Sequence, residues 1–286
     1  MKIPASELPK QADGAIYHLN LHPEELADNI VLVGDPGRVA MFSNLFDTIE
    51  LKRQNRELIT HTGFYKGKRI SVISTGMGTD NIDIVLNELD ALASIDLRTN
   101  EVLSERRTLR MVRVGTSGAL QADIEVGTPV ASAYGLGIDG VLQFYDASLC
   151  LDEEFAGAFM EQTRWSARLP RPYCTPASPS LLQSVAHDMR QGVTISAPGF
   201  FGPQGRQVRA KLRFPKLNQA IEQFNYKGNR VTNMEMECSA IYGLSNLLGH
   251  EALTVCLIIA NRVTGRFLDS YHEQMEELGR TVLDRL

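Results

Sequence analysis

Leu253-Thr-Val-Cys-Leu-Ile-Ile-Ala260 is the longest apolar run in the chain. It is far short of the roughly 20 residues that a bilayer-spanning helix needs. Its near-continuous aliphatic character, without polar alternation, reads as a strand covered on both faces. Outward from it, similar runs occur at Ile30–Val33, Ile70–Ser74, Met111–Val114, Thr128–Ala133 and Val193–Ser196. Helical patterns lie between and after them, at Arg38–Leu45, Asn81–Ala93, Ser180–Arg190, Lys216–Phe224, Glu237–Leu248 and Asp269–Leu286. Strands interleaved with helices predict an α/β domain. No repeat, low-complexity tract or linker divides the sequence, so residues 1–286 read as one domain. The four prolines between Arg168 and Ser180 predict a long surface loop.

Composition narrows the class. The chain has 286 residues, 43% hydrophobic and 22% charged, which is ordinary soluble usage with enough length for a sizeable core. A formal charge of −5 gives no global attraction to nucleic acid or to an acidic membrane surface, and no partner of either kind is expected. The four cysteines, Cys150, Cys174, Cys238 and Cys256, have no C-x-x-C spacing, so neither a zinc ribbon, a redox pair nor a disulfide framework is expected. Pro4, Glu7 and Pro9 stand where a signal peptide would need an apolar stretch. The expectation is a cytoplasmic protein.

Several motif matches fail on context. Gly135-Leu-Gly-Ile-Asp-Gly140 fits G-x-G-x-x-G, but Val141-Leu-Gln-Phe-Tyr145 opens no clear helix after it. Gly63-Phe-Tyr-Lys-Gly-Lys68 is one residue short of a P-loop and continues with Arg69 instead of Ser or Thr. H-E-x-x-H and G-x-S-x-G are absent.

The informative residues are glycines and arginines at strand ends. Val31-Leu-Val-Gly-Asp-Pro-Gly-Arg38 runs from a strand through a tight turn into a helix. Gly34 permits close backbone approach, the helix start favours an anion, and Arg38 offers a planar donor fork suited to phosphate. Met111-Val-Arg-Val-Gly-Thr-Ser-Gly118 repeats the idea, with an arginine near a strand end and then a turn carrying two hydroxyls. Each turn alone reads equally well as plain loop chemistry; a two-sided cradle requires neighbouring strands. Met234-Glu-Met-Glu237 places two carboxylates i, i+2 at a strand-to-helix junction, where both face one side while the backbone is extended. They suit paired sugar hydroxyls as acceptors, or else complement a helix dipole.

Taken in order, Gly34-Asp-Pro-Gly-Arg38, Ser74-Thr-Gly-Met-Gly78, Arg113-Val-Gly-Thr-Ser-Gly118 and Asn233-Met-Glu-Met-Glu237 resemble the nucleoside phosphorylase-I superfamily, its uridine phosphorylase branch in particular. The similarity runs from Tyr17 to about Gly265. It implies a three-layer α/β/α sandwich around a central mixed β-sheet. It also implies that Gly34, Arg38, Arg113 and Thr116 hold inorganic phosphate as co-substrate. Arg56, in Asn55-Arg-Glu57, looks like the arginine that such enzymes lend from a neighbouring subunit. His18, in Tyr17-His-Leu19, matches a histidine lent in the same way to the ribose 5′-hydroxyl. Glu237 takes the ribose 2′- and 3′-hydroxyls, with Glu235 and Met236 lining the sugar pocket.

Phe200-Phe-Gly-Pro-Gln-Gly-Arg206 matches the block in which Gln-x-Arg reads uracil. The Gln204 amide supplies both a donor and an acceptor for the imide edge, and Arg206 favours negative charge on the departing base. Phe200 stacks on the pyrimidine or covers the pocket, and Ser117 and Gly118 border the base. Purine-specific members instead carry an aspartate where Ile259-Ala-Asn-Arg262 has Asn261. The resemblance thus implies phosphorolysis of uridine, and of deoxyuridine, to uracil and a pentose 1-phosphate. Arg113, Glu237, Gln204 and Arg206 carry the chemistry, with no metal.

Certain positions depart from the family pattern. Gly37 stands where Asp is frequent, and Asn81 replaces the serine that lies beside a monovalent-cation site near Glu57 in some hexameric relatives. A bound potassium ion is therefore not expected. A homodimer is the smallest active unit implied, or a hexamer made as a trimer of dimers. Val141 to Pro179 aligns poorly and receives no role; Trp165 within it reads as packing. Phosphorolysis of thymidine or a purine nucleoside, hydrolysis by a nucleosidase, and non-catalytic nucleoside binding remain the competing readings.

Overall fold

The computed structural model describes residues 2–286. Twelve strands share one mixed sheet. They are β1 (Asn29–Val33), β2 (Thr48–Asn55), β3 (Leu58–Tyr65), β4 (Lys68–Ser74), β5 (Arg110–Ala119) and β6 (Pro129–Gly137). The others are β7 (Tyr173–Pro176), β8 (Arg190–Ser196), β9 (Asn225–Tyr226), β10 (Asn229–Glu235), β11 (Glu251–Asn261) and β12 (Arg266–Phe267). Seven α-helices accompany them: α1 (Gly37–Ser43), α2 (Thr79–Ser94), α3 (Glu153–Thr163), α4 (Pro179–Ala186), α5 (Leu217–Gln223), α6 (Cys238–Leu248) and α7 (His272–Arg285).

The strand order is β9-β10-β8-β6-β11-β5-β1-β4-β3-β2, with β7 added to β6 and β12 to β11. β1 runs parallel to both β4 and β5, whereas β11 is parallel to β5 and antiparallel to β6. One further pairing shapes the site. β10 also pairs antiparallel with β5, Asn233 opposite Ala119 and Met234 opposite Gly118. Strands β5, β11, β6, β8 and β10 therefore close into a ring set into the larger sheet. The expected α/β fold with a mixed central sheet is present, and this closure is what bends β5 and β10 toward each other.

The core lies on both sides of the sheet. Ile30–Val33 and Leu253 to Ile258 are fully buried except where they turn toward the ring, so the apolar runs meet cover on each face. α6 lies across β6, β8 and β11 and packs on α2; α1 covers β3 and β4 and meets α7. Gly135 makes the first of these contacts possible, because a Cβ there would come 2.9 Å from Ser239 Cα in α6. A second apolar cluster gathers Phe155 and Phe159 of α3 with Phe224, Val193 and Ile195. Trp165 packs beside it, its ring 5.5 Å from Phe159, and donates from Nε1 to the Pro170 carbonyl at 2.9 Å.

Several local expectations need correction. The segment Arg113–Gly118 is not a strand end followed by a turn: β5 continues to Ala119, because β11 pairs with it along that whole length and β10 pairs with its last two residues. The proline-rich stretch after Arg168 is not one long surface loop. Tyr173, Cys174 and Thr175 are buried as β7 against β6, and α4 begins at Pro179. The helix expected over Ser180–Arg190 stops at Ala186, and Arg190 opens β8. Strands β2, β3 and β10 had no apolar run to announce them; β2 is exposed along one edge, and β10 carries Asn, Thr and Glu into the ring. The rejected glycine motifs are strand and hairpin: Gly135 and Gly137 lie within β6, and Lys66-Gly67 turns β3 into β4. Among the described residues, no helix is long and apolar enough to cross a membrane.

Candidate active site

β1, β5 and β10 bring their C-terminal residues to one cavity of about 640 Å³. Into it face Gly34, Arg38, Arg113 and Thr116 at one end, and Phe200, Gln204 and Arg206 at the other, with Glu235, Met236 and Glu237 between. Ser117 and Gly118 also line it. The two-sided anion cradle therefore has its required geometry: β1 and β5 are parallel neighbours, Leu32 opposite Arg113.

The floor is an interlocked ion cluster. Arg113 is 4% exposed, and its Nη2 donates to Glu237 Oε2 while Nη1 lies 3.4 Å from Glu235 Oε2. The remaining Glu237 oxygen, Oε1, accepts from the Gly78 amide at 2.8 Å, which ties the glutamate to the turn entering α2. Glu235 Oε1 accepts from Ser196 Oγ at 2.7 Å, and Oε2 accepts from the amides of Glu237 and Cys238 at 2.9 and 3.0 Å. Glu235 thus borders the cavity but spends its carboxylate as a brace for Arg113 and the start of α6. The i, i+2 spacing has split the two acids: both reach one arginine, and Glu237 keeps the cavity-facing place.

Electrostatics follow from that sharing. Burial alone lowers the Arg113 guanidinium, but Glu237 and Glu235 more than offset it and hold the charge. Burial pushes the Glu235 carboxyl up to about 7, opposed by Arg113 and assisted by the like charge of Glu237. Backbone space is equally committed: a Cβ on Gly115 would sit 2.0 Å from Arg113 Nη1, so only glycine leaves room for the guanidinium there. Arg113 Nε is buried without a hydrogen-bond partner among the described residues.

The other end is built on a loop. Phe201 to Gln204 forms a short turn after β8, and Gln204 is 3% exposed although its neighbours are not. Arg206 Nη1 donates to Gln204 Oε1 and to the Phe200 carbonyl, both at 2.6 Å, and its guanidinium stacks 3.8 Å above the Phe200 ring. Burial and then the nearby Arg262 lower Arg206 to about 10. Arg262 packs its side chain over Gly118, where a Cβ would meet its Cδ at 3.3 Å, and its buried Nη1 has no partner among the described residues. In the sequence Arg262 is marked only by its place directly after Asn261.

Asn261 itself does not line the cavity. Its Nδ2 donates to the carbonyls of Gln121 and Ile124 at 2.9 and 2.7 Å, and its Oδ1 accepts from the Val263 and Thr264 amides. Every polar position of the amide is used in holding the end of β11, so no acid faces the base from this site.

Two expected residues are not brought to the cavity within the chain. Arg56 sits exposed at the tip of the β2–β3 hairpin with φ +53°. His18 is turned to α2, its Nδ1 2.7 Å from Glu88 Oε1 and its amide donating to the same carboxylate at 2.8 Å. Met77, Phe267, Glu57 and Asn81 also line the cavity, as does Asp35 beside Gly34. Phe267 lies on the two-residue strand β12 and had no signal in sequence; Asn81 and Glu57 crowd Gly76, where a Cβ would meet Asn81 Nδ2 at 2.3 Å.

The chain is similar to known proteins over most of its length. The model of a family described as the phosphorylase superfamily matches residues 28–285. A uridine phosphorylase of Thermococcus kodakarensis is 30% identical over 275 residues, covering 93% of this chain and 84% of the relative. A DeoD-type purine nucleoside phosphorylase of Listeria welshimeri is 26% identical over 249 residues, covering 87% and 88%. A solved Trypanosoma brucei nucleoside phosphorylase, described as showing uridine phosphorylase activity, is 30% identical with a TM-score of 0.86, covering 98% of this chain and 99% of that one. A uridine phosphorylase structure from Phytophthora capsici, at 23% identity and a TM-score of 0.70, shares the fold and covers 100% and 98%.

Proposed function

The chain belongs to the phosphorylase superfamily, and on that premise we propose that it is a uridine phosphorylase. It uses inorganic phosphate to convert uridine to uracil and ribose 1-phosphate, a step of pyrimidine salvage in the cytoplasm. The observation that carries the reading is one cavity with Arg38, Arg113 and Thr116 at one end and Gln204 with Arg206 at the other. The purine position is filled by Asn261, whose amide is consumed by the fold.

The chemistry follows from the placement. Phosphate held by Gly34, Arg38, Arg113 and Thr116 faces the anomeric carbon, while Glu237 accepts from the 2′- and 3′-hydroxyls. The C1′–N1 bond breaks with its electron pair going to uracil, as a phosphate oxygen bonds to C1′. The sugar passes through an oxocarbenium-like state stabilised by the phosphate beside it. Charge on the leaving base spreads over its carbonyl oxygens, where Gln204 and Arg206 supply donors. Positioning and preorganised charge do the work, without a covalent enzyme intermediate; the arginines supply the positive charge, so a chelator leaves the rate unchanged.

The test is uracil release from uridine with and without phosphate, run beside inosine and thymidine. Uridine cleaved far faster than inosine, with ribose 1-phosphate as product, is the expected result. Free ribose formed at a rate indifferent to phosphate would assign a nucleosidase instead.

The active unit in this reading is a two-fold dimer in which Arg56 and His18 reach the partner's cavity. It is motivated by the family resemblance and by the fact that neither residue lines the cavity of its own chain. Arg56→Ala and Arg113→Ala should each be nearly inactive, and co-expressed they should recover about a quarter of the sites, by random pairing across a two-fold interface. Mixed dimers, isolated through a different affinity tag on each variant, that stay as inactive as the single variants would remove the shared site.

A further inference from the structure

Behind the base-reading loop lies a second cavity of about 510 Å³, separate from the first in its lining. Its wall is apolar and partly aromatic: Ile138, Trp165, Leu169, Leu212, Phe214 and Leu217. Its charged residues are Arg168, Lys211 and Arg213, and no acidic residue lines it. None of these three cations has an ion-pair partner among the described residues, although most other arginines of the chain are paired. The size lies within the range of small-molecule sites, which are mostly apolar with a few convergent polar groups. Two guanidinium groups and one ammonium at the rim of an aromatic pocket complement a planar ring bearing a dianion.

The cavity shares its wall with the loop that reads the base. Gly202, Pro203 and Gly205 line it and flank Gln204, whose side chain faces the other cavity. Asn218, also in the wall, donates from Nδ2 to the Gln204 carbonyl at 3.0 Å. Gly205 has φ +68° and no room for a Cβ against Asn218, so the turn is held from the side of this cavity. A ligand seated there touches the backbone that carries Gln204 and Arg206.

We propose that this cavity is a second ligand site, which takes a small aromatic phosphate monoester and sets the position of the Phe200–Arg206 loop. The effect on the loop rests on the assignment of uridine as substrate; the binding does not.

Trp165 is the only tryptophan of the chain, so a ¹⁵N-labelled sample gives one indole N–H signal, and it reports on this wall. The probe is 4-fluorophenyl phosphate, added with uracil and inorganic phosphate both saturating so that the catalytic cavity is filled. The expected result is a saturable shift of the indole signal, not reproduced by neutral 4-fluorobenzyl alcohol. In the Lys211→Ala/Arg213→Ala variant the dissociation constant should rise at least tenfold while uridine turnover without probe is unchanged. With wild type, saturating probe should alter the KM for uridine at least twofold and leave the KM for phosphate as it was. An unmoved indole signal, a shift abolished by uracil and phosphate, or a shift indifferent to the two cations would overturn the site. A saturable shift with no change in uridine KM would overturn the coupling to the loop. Absence of uridine phosphorolysis leaves the indole measurement standing, and so identifies the failure of the substrate assignment by itself.

Discussion

The two ends of the catalytic cavity are made in different ways. At the phosphate and ribose end, Arg113, Glu235 and Glu237 project from the ring strands and the start of α6, and each is at most 4% exposed. Their partners are backbone amides of Gly78, Glu237 and Cys238, so the cluster is part of the fold's own hydrogen bonding. At the base end, Gln204 and Arg206 stand on a loop after β8, bonded to each other and to the Phe200 carbonyl, with Phe200 more than half exposed. In the proposed reading, chemistry common to every substrate is built into the sheet, and the group that chooses the base is mounted on a loop. A change in this ion cluster should therefore damage stability and activity together, and a change at the base end should damage activity alone.

Arg113→Ala tests the first half of that statement and carries the largest expected effect. It strips the counterion from two buried carboxylates, and breaking such a cluster costs about 3–5 kcal/mol of folding stability. The kcat/KM for uridine should fall by at least about a hundredfold, since phosphate loses a charged donor aimed at the reacting centre. Arg38→Ala is the control, because Arg38 is half-buried and unpaired in the same cavity. It should raise the KM for phosphate with the urea midpoint unchanged. Equal destabilisation by the two variants would mean that the buried ion cluster holds the fold no more than an unpaired arginine of the same cavity does.

Asn261→Asp comes next and acts on stability. The substitution turns two donors into a carboxylate facing the carbonyls of Gln121 and Ile124, now 2.9 and 2.7 Å away. Leaving buried carbonyls unsatisfied costs about 1–3 kcal/mol per group. Inosine cleavage should not appear, since the side chain does not reach the cavity. Inosine turnover rising in this variant would show that the loop and strand end rearrange to present the acid.

The sequence showed the fold where burial was two-sided. Leu253 to Ala260 and Ile30–Val33 have few polar residues, so composition alone marks them as strands. β10 and the far half of β5 did not show, because they face a cavity on one side and carry Thr116, Ser117 and Glu235 as a result. A functional face removes the very apolar pattern by which a strand is recognised. The acidic pair was legible as a pair, but its division of labour was not. That division depends on Ser196 and on two amides of a helix start, which only the three-dimensional arrangement brings to Glu235.

Arg206→Ala breaks the comparison from the other side. Arg206 makes its hydrogen bonds within the loop, so its loss should leave the unfolding midpoint within error. The kcat/KM for uridine should drop about ten- to a hundredfold, as expected when one charged donor to the leaving group is lost. Because Arg262 lies nearby with a free Nη1, a residual rate above that of Arg113→Ala is expected. A fall in stability comparable to that of Arg113→Ala would mean the base end is also structural.

The smallest effect is on pH, and it probes how the buried cluster meets phosphate. Burial raises the Glu235 carboxyl from its ordinary 4.5 to about 7. For an acid with a raised folded value, the protonated form is the one the fold prefers. Its contribution to stability is full below about 4.5 and is lost as pH rises through about 7. The same step changes the charge that phosphate meets: with Glu235 protonated, Arg113 and Glu237 sum to zero, and with it ionised the cluster carries a net negative charge. Phosphate affinity should therefore weaken a few-fold on passing upward through about pH 7, beyond the change due to phosphate's own ionisation. Glu235→Gln removes the titration. Its carbonyl oxygen can still accept from the Glu237 and Cys238 amides, and its amide nitrogen can donate to Ser196 Oγ, so the fold keeps its bonds. The KM for phosphate, measured in both proteins from about pH 6 to about 8.5, isolates the Glu235 component as a ratio, since phosphate ionises identically in each. A wild-type to variant ratio that rises a few-fold through neutrality supports the shared-arginine floor. A ratio flat over the whole range would mean that Glu235 stays ionised and that Arg113 alone sets the charge phosphate meets.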